Sequence, residues 1–401
     1  MIKRTLQELC LNITDGKHGD CENEENSGYY FISCKDIFDG QINYKNARQI
    51  TKADFEETHK RTMLEVDDIL LTNSGTIGRM AFVTDREATT KTTFQKSVAI
   101  IKPDKQKVLP RYLYYQLQNC VPQFINSSNG SAQKNLLLST MRTFRIEIEE
   151  NREKQEKIAN TLSAYDDLIE NNQKQIKLQE EAARRLYKEW FVDLRFPGHE
   201  NTKIVDGVPE GWSKSTVSEV SAVLRRGISQ KYNEKARSIV INQKCIRQTI
   251  VSYDEARTQE KKYPAELEMM ESDIVICSTG AGTLGRVGQI FEAKGNATLD
   301  SHVTLIRANE KIGQQSLFWS LKMQQDYLMS AGKGSTNQLE LSRETIGSCE
   351  ILIPERKIAE QVEKNFVAIH NKMKECSMQI ARLREVRDLL LPKLMSGEMK
   401  V

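Results

Sequence analysis

Two stretches of the chain carry mainly apolar residues at alternating steps of four and three. The first runs Ile158, Leu162, Tyr165, Ile169, Asn172, Ile176, Gln179, Ala183, Leu186, Trp190; the second runs Val362, Phe366, Ile369, Met373, Cys376, Ile380, Leu383, Arg387, Leu390, Leu394. A stripe at that spacing, sustained for more than four heptads, predicts a coiled-coil seam rather than the wider apolar face of a helix lying on one domain. Each position of the second stripe lies 204 residues beyond its counterpart, as Phe366 does from Leu162, so the stripes are copies in register. The pairing positions are Leu162, Tyr165, Ile169, Ile176, Leu186 and Trp190 on one helix, and Phe366, Ile369, Met373, Ile380, Leu383 and Leu390 on the other. A local two-fold axis relating the halves makes the helices antiparallel, with a seam roughly 50 Å long. Asn172, Gln179 and Arg387 interrupt it, which sets register at some cost in stability.

Outside the stripes the pattern changes to short β-branched runs, such as 97–101 and 238–241, set between Gly, Asn and Asp turn signals. These parts also repeat. "DDILLTNSGTIGRMAFV" matches "SDIVICSTGAGTLGRVGQI", aligning Asp68 with Asp273, Gly75 with Gly280, Gly78 with Gly285 and Arg79 with Arg286; the second copy has Ala281 and Gly282 in addition. "KSVAIIKP" matches "SHVTLIRA", "YLYYQL" matches "SLFWSL", "NGSAQKN" matches "KGSTNQL" and "FRIEIEE" matches "CEILIPE", all in the same order. The expected fold is α+β: two β-rich domains separated by two long antiparallel helices that form a coiled-coil spacer, with internal two-fold pseudosymmetry. The boundaries expected are 1–150 and 198–353 for the domains, and 151–197 and 354–401 for the helices.

Composition narrows the classes of function. A chain of 401 residues, 39% hydrophobic and 28% charged, is long enough for two cores, and no apolar run approaches the roughly 18 residues that cross a bilayer. The start, "MIKRTLQELCLNITDGK", has no apolar signal segment, so a cytoplasmic location is expected. Eight scattered cysteines without a C-x-x-C pair read as reduced, mostly buried thiols, and five dispersed histidines offer no zinc-ligand spacing, so no metal site is expected. The net charge of +3 is too small to identify a polyanionic partner. Any such case rests on where the charges lie.

One motif invites a different reading. Gly280, Gly282 and Gly285 in "DIVICSTGAGTLGRVG", with Asp300 beyond them, match a dinucleotide-binding fingerprint. A phosphate-cradling loop must lead into a helix, whereas "RVGQIFEAKGNATL" alternates like a strand, and the first-half counterpart lacks the spacing. The glycines therefore read as a strand–turn–strand corner with Arg79 and Arg286 at its tips. Other polar residues cluster on loops as a nucleic-acid reader requires: Lys17, His18, Lys35, Gln133, Lys134 and Asn135 in the first half, and Arg225, Arg226, Lys231, Tyr232, Gln243, Lys244, Arg247, Lys333, Asn337 and Gln338 in the second. Arg and Lys suit phosphates or guanine edges, while Asn and Gln suit adenine. No G-x-S-x-G elbow, G-K-[ST] loop or Pro-Pro methyltransferase motif is present, so no catalytic residue is assigned. The alternatives to a DNA reader are a coiled-coil scaffold without DNA affinity and a stand-alone nucleotide-cofactor enzyme.

The order of blocks resembles the specificity subunit of type I restriction-modification systems over essentially the whole chain. "TNSGTIGR", "STGAGTLGR", "GSAQKN", "GSTNQ" and "EGW" carry the resemblance, with "LQEEAARRLYKEWFVDLRFPG" similar to that family's central conserved region and "LREVRDLLLPKLMSGE" to its distal one. The resemblance implies that each β-rich part is a target recognition domain and that the helices are a spacer and docking surface. It further implies a non-catalytic chain with double-stranded DNA, two methyltransferase (M) subunits and restriction (R) subunits as partners. No cofactor is then expected in this chain; S-adenosylmethionine, ATP and Mg belong to the partner subunits. One departure is the direct entry into the first domain at "TLQELC", without the lead ending in Gly-Trp that precedes "STVSEV".

Overall fold

The computed structural model describes residues 1–128, 134–280, 282–334 and 339–400. The chain forms two compact units, the first made of Met1–Ile169 with Ala381–Val401 and the second of Glu170–Ile380. Two long helices, Arg152–Tyr187 and Arg356–Met395, are each shared between the units. Each unit thus joins one β-rich domain to a stretch of both helices.

In the first unit the strands β1 (Cys10–Asp15), β2 (Ile69–Thr72), β3 (Met80–Phe82) and β4 (Val98–Pro103) form an antiparallel sheet in the order β1-β4-β2-β3. In the second, β5 (Ser221–Arg226), β6 (Ile274–Cys277), β7 (Val287–Gln289) and β8 (Val303–Ala308) repeat the topology as β5-β8-β6-β7. The continuous apolar runs are explained by burial on both faces with period two. Ile69, Leu71, Ala99 and Ile101 enter one core, while Leu70, Val98 and Ile100 enter another. Ile274, Ile276 and Ile306 are divided in the same way from Val275, Cys277, Val303 and Leu305. The glycine corner lies between β6 and β7, which pair antiparallel, so a strand and not a helix follows Gly285. Gly280, Gly282 and Gly285 take φ of 105°, 72° and 74°, the left-handed region that glycine tolerates.

The repeat extends to details. Strand Ile2–Thr5 pairs with Arg145–Ile148 as Ser213–Thr216 pairs with Glu350–Ile353, so the first domain has the entry strand of the second. Thr5 N–H donates to Glu8 (2.6 Å) as Thr216 N–H donates to Glu219 (3.0 Å). The aspartates that precede β2 and β6 are buried and paired, Asp68 with Lys102 at 2.7 Å and Asp273 with Arg307 at 2.6 Å.

The long helices run antiparallel within each unit. In the first, Ile158 and Leu162 share a core with Leu390, Leu394 and Met395, and Arg387 reaches Asp166 at 2.7 Å. In the second, Ala183, Leu186 and Trp190 share a core with Ile358, Val362, Phe366 and Ile369. Leu162, Ile169, Trp190, Phe366, Met373 and Ile380 are buried; Tyr165, Ile176, Leu186, Ile369, Leu383 and Leu390 are half-buried. Arg387, a break in the apolar stripe, is thus matched by a carboxylate. Each domain is also fixed to its own long helix by polar contacts. Gln155 accepts from Leu109 N–H (2.8 Å) and Tyr115 donates to Asp166 (2.6 Å). Glu363 accepts from Gln315 and Ser316 N–H (3.0 and 2.8 Å) at the start of helix Gln314–Met323. His370 bonds Gln289 (3.0 Å) and stacks on Phe291, and burial pushes its imidazole down to about 4. Among the described residues no helix is long and apolar enough to cross a membrane.

Candidate nucleic-acid interface

The antiparallel registers bring one set of loops to one end of each sheet. In the first domain Ala99 faces Asp15, Val98 faces Thr72 and Leu71 faces Met80, so segments 16–18, 73–79 and 95–97 all leave from the same end. Two further segments are tied there. Cys34 N–H donates to Ser97 Oγ (3.1 Å), anchoring the turn Cys34–Asp36, and Leu136 N–H donates to the Asn73 carbonyl (2.7 Å) beside a Ser74–Asn135 bridge. Lys17, His18, Lys35, Arg79, Lys134 and Asn135, distant in sequence, are gathered by these ties.

The second domain repeats the arrangement. Segments 227–228, 278–280, 282–286 and 300–302 leave one end of its sheet, since Arg226 faces Thr304, Cys277 faces Val303 and Ile276 faces Val287. The turn Gln243–Cys245 and residues 340–341 are tied in by the Cys277 thiol on the Gln243 carbonyl (3.9 Å) and by Leu341 N–H on the Ser278 carbonyl (2.8 Å). This brings together Arg226, Gln243, Lys244, Arg286 and Lys333, with Arg225 near the end of β5. Lys231 and Tyr232 lie on the extension from that end, Tyr232 bridging Gln259, and Arg247 donates to the Lys244 carbonyl (3.1 Å). Gln133, Asn337 and Gln338 lie outside the described residues.

Partners divide these cations into two groups. Lys17 is held by Asp54 (3.0 Å) and Glu57 (3.2 Å), and the bond to Asp54 raises its ammonium above the ordinary lysine range. His18 meets Asp15 (2.9 Å), which Arg61 also binds. Arg225 pairs with Glu266, Arg226 with Glu340, Lys231 with Glu260 and Arg247 with Glu255. By contrast, among the described residues no side chain partners Lys35, Arg79, Lys134, Lys244 or Lys333, and all five are exposed. Arg286 donates to the Gly282 carbonyl of its own turn (2.6 Å).

Sequence reasoning missed two arginines. Arg48, on a strand facing Phe31, is held by Asp20, Asn23 and the Cys21 carbonyl; Arg257, facing Val240 at the equivalent place, lies over the Tyr232 ring at 4.3 Å. The shared Ala-Arg of "NARQI" and "EARTQ" was the signal that marked them. Lys96, exposed on segment 95–97, was also passed over. No group of three or more His, Cys, Asp or Glu among the described residues is placed to hold a metal ion.

Residues 3–180 match the family model of the type I restriction modification DNA specificity domain. Over 389 residues the chain is 27% identical to the type I restriction enzyme MjaIX specificity subunit of Methanocaldococcus jannaschii, covering 92% of this chain and 87% of that protein. It is 25% identical to the type I restriction enzyme HindI specificity subunit of Haemophilus influenzae, covering 75% and 79%. Residues 3–180 are thus a domain of this specificity family, and over most of its length the chain is similar to type I specificity subunits. The crystal structure of the type I restriction-modification S subunit from M. genitalium shares its fold, with a TM-score of 0.57 at 17% identity over 98% of this chain and 95% of that one. As a specificity subunit the chain is a non-catalytic component of a restriction-modification enzyme. Its two β-rich domains and its long helices match the two recognition domains and helical spacer of that architecture.

Proposed function

We propose that this specificity subunit reads a bipartite, asymmetric duplex target and holds methyltransferase and restriction subunits on its long helices. The observation that carries the reading is a duplicated frame with unlike side chains at equivalent loop positions. Lys17, bridged to Gln95, corresponds to Ile228, bridged to Asp300; Asn23, bridged to Ile50, corresponds to Tyr232, bridged to Gln259. Lys134 precedes the Asn135 bridge where Leu339 precedes the Glu340 bridge. Two readers with one frame and different contacts select different half-sites, and a spacing of about one helical turn (roughly 34 Å) presents both major grooves on one face. Exposed apolar side chains on the long helices, Leu178 on the first and Val386 and Leu389 on the second, support their use as a docking surface.

Mapping methylated sites in cells that carry the complete system tests this. Replacing residues 1–150 by the corresponding domain of a relative is expected to change one half-site and leave the other intact. A target read as one uninterrupted block of bases overturns the reading. A scaffold without DNA affinity predicts instead that the assembled complex retains no duplex even at low salt.

A further inference from the structure

We infer that Lys35 with Arg79, and Lys244 with Arg286, are matched phosphate clamps: they hold the DNA backbone at each half-site and take no part in choosing bases. The inference rests on the DNA-reading function proposed above and assigns chemistry within it.

The two members of each clamp come from segments in direct contact. A Cβ on Gly75 would stand 3.1 Å from Cys34 Sγ, and one on Gly280 would stand 3.0 Å from Gln243 Nε2. Cys34 and Gln243 immediately precede Lys35 and Lys244. Each corner is also closed from behind. A Cβ on Gly78 would meet the Val121 side chain at 2.5 Å, and one on Gly285 would meet the Met329 backbone at 2.4 Å. Gly78 and Gly285 hold φ of 93° and 74° directly before Arg79 and Arg286. Close packing of these glycine corners therefore fixes where the backbone of Arg79 and Arg286 stands beside the segments that carry Lys35 and Lys244, and each charge reaches out from a set position.

Their chemistry separates them from the paired cations around them. Lys17, Arg225, Arg226, Lys231 and Arg247 are held by carboxylates of their own domain, whereas Lys35, Lys244 and Arg79, like Lys134 and Lys333, have no side-chain partner among the described residues and Arg286 meets only a carbonyl of its turn. The same two residue types also stand at the same two places in domains whose other contacts differ. A base contact repeated in both would select one base in both half-sites. The sugar-phosphate backbone is the part of a duplex that both half-sites share, and it is what Lys and Arg bind without reading sequence.

The test measures equilibrium binding of the assembled methyltransferase complex to a target and a scrambled duplex across a salt series. Lys35→Ala, Arg79→Ala, Lys244→Ala and Arg286→Ala are each expected to weaken both duplexes by a similar factor and to flatten the log–log salt slope by about one unit, with the methylated sequence unchanged. Arg79→Lys and Arg286→Lys keep the charge and are expected to keep the slope, because a phosphate accepts a point charge while a guanine edge needs the fork. Relaxed choice at one base with an unchanged slope overturns the clamp, as does unchanged affinity for both duplexes. A wild-type complex that binds both duplexes equally at every salt concentration counts against the proposed DNA-reading function instead.

Discussion

In the first β-rich domain a lysine, and in the second an arginine, neutralises the aspartate that precedes the inner strand of the sheet. Lys102 reaches Asp68 at 2.7 Å, Glu65 at 3.3 Å and the Met63 carbonyl at 2.5 Å, a point charge shared among three oxygens. Arg307 forks onto both oxygens of Asp273 (2.6 and 2.8 Å) and donates to the carbonyls of Glu266 and Glu268 (2.8 and 2.5 Å). Burial still pushes the Asp68 carboxyl up to about 6 in spite of its lysine. The duplicated frame thus keeps an electrostatic task and changes the side chain that performs it, whereas the exposed loops keep positions and, outside the matched Lys and Arg pairs, change the side chains that stand there. The difference lies in what constrains each place: an unpaired buried carboxylate is costly wherever it occurs, while a loop tip answers only to what it touches.

Removing the arginine breaks this comparison most strongly. Arg307→Met leaves Asp273 buried and two carbonyls without a donor, and a loss of about 3–5 kcal/mol is expected in urea unfolding. Lys102→Met is expected to lose less, with the shortfall narrowing below pH 6, where Asp68 takes up a proton. Equal losses at neutral pH contradict the distinction between fork and point charge.

A smaller effect distinguishes the two attachments to the long helices. His370 stands 204 residues beyond Asp166, and each bonds its own domain. The buried imidazole has its pKa lowered from 6.5 to about 4, so the folded state favours the neutral ring. Its stabilisation is complete above about pH 6.5 and is lost as pH falls toward about 4, up to about 3 kcal/mol. Thermal unfolding across that range, compared with His370→Gln, is expected to show a flatter profile in the variant; parallel profiles contradict the assignment.

The smallest effect concerns helix Lys52–Thr62 of the first domain, where the second has only the short turn Ala265–Leu267. Thr51 caps it by accepting from Asp54 N–H at 3.3 Å. Thr51→Ala is expected to cost about 1 kcal/mol, seen as faster amide exchange in residues 52–62 with the second domain unaffected. Faster exchange in both domains removes the difference.

Sequence alone disclosed the repeat, the paired stripes and the strand that follows the glycines, because each is a periodic or self-similar pattern. Helix Lys52–Thr62 escaped notice because "KADFEETHKRT" has only Phe55, Thr58 and Thr62 buried, too narrow a stripe to mark a period. For the same reason Lys17 looked free: its carboxylates lie 37 and 40 residues away on that helix, and no local spacing links them. The loop ends were legible as polar clusters, but which cations are neutralised depends on tertiary partners. Arg48 and Arg257 had a repeat signal too short to stand out before the strands were aligned.

The Asp166–Arg387 contact has a consequence for which halves can pair. The counterpart of Asp166 is His370, and the counterpart of Arg387, displaced by 204 residues, is Ala183. A symmetric pairing of either half with a duplicate of itself would set Asp166 against Ala183, or His370 against Arg387, and neither combination joins opposite charges at neutral pH. One complementary pair across the seam favours the unlike halves over either like pairing by about 1 kcal/mol or less, so the doubled frame carries a bias toward two dissimilar parts.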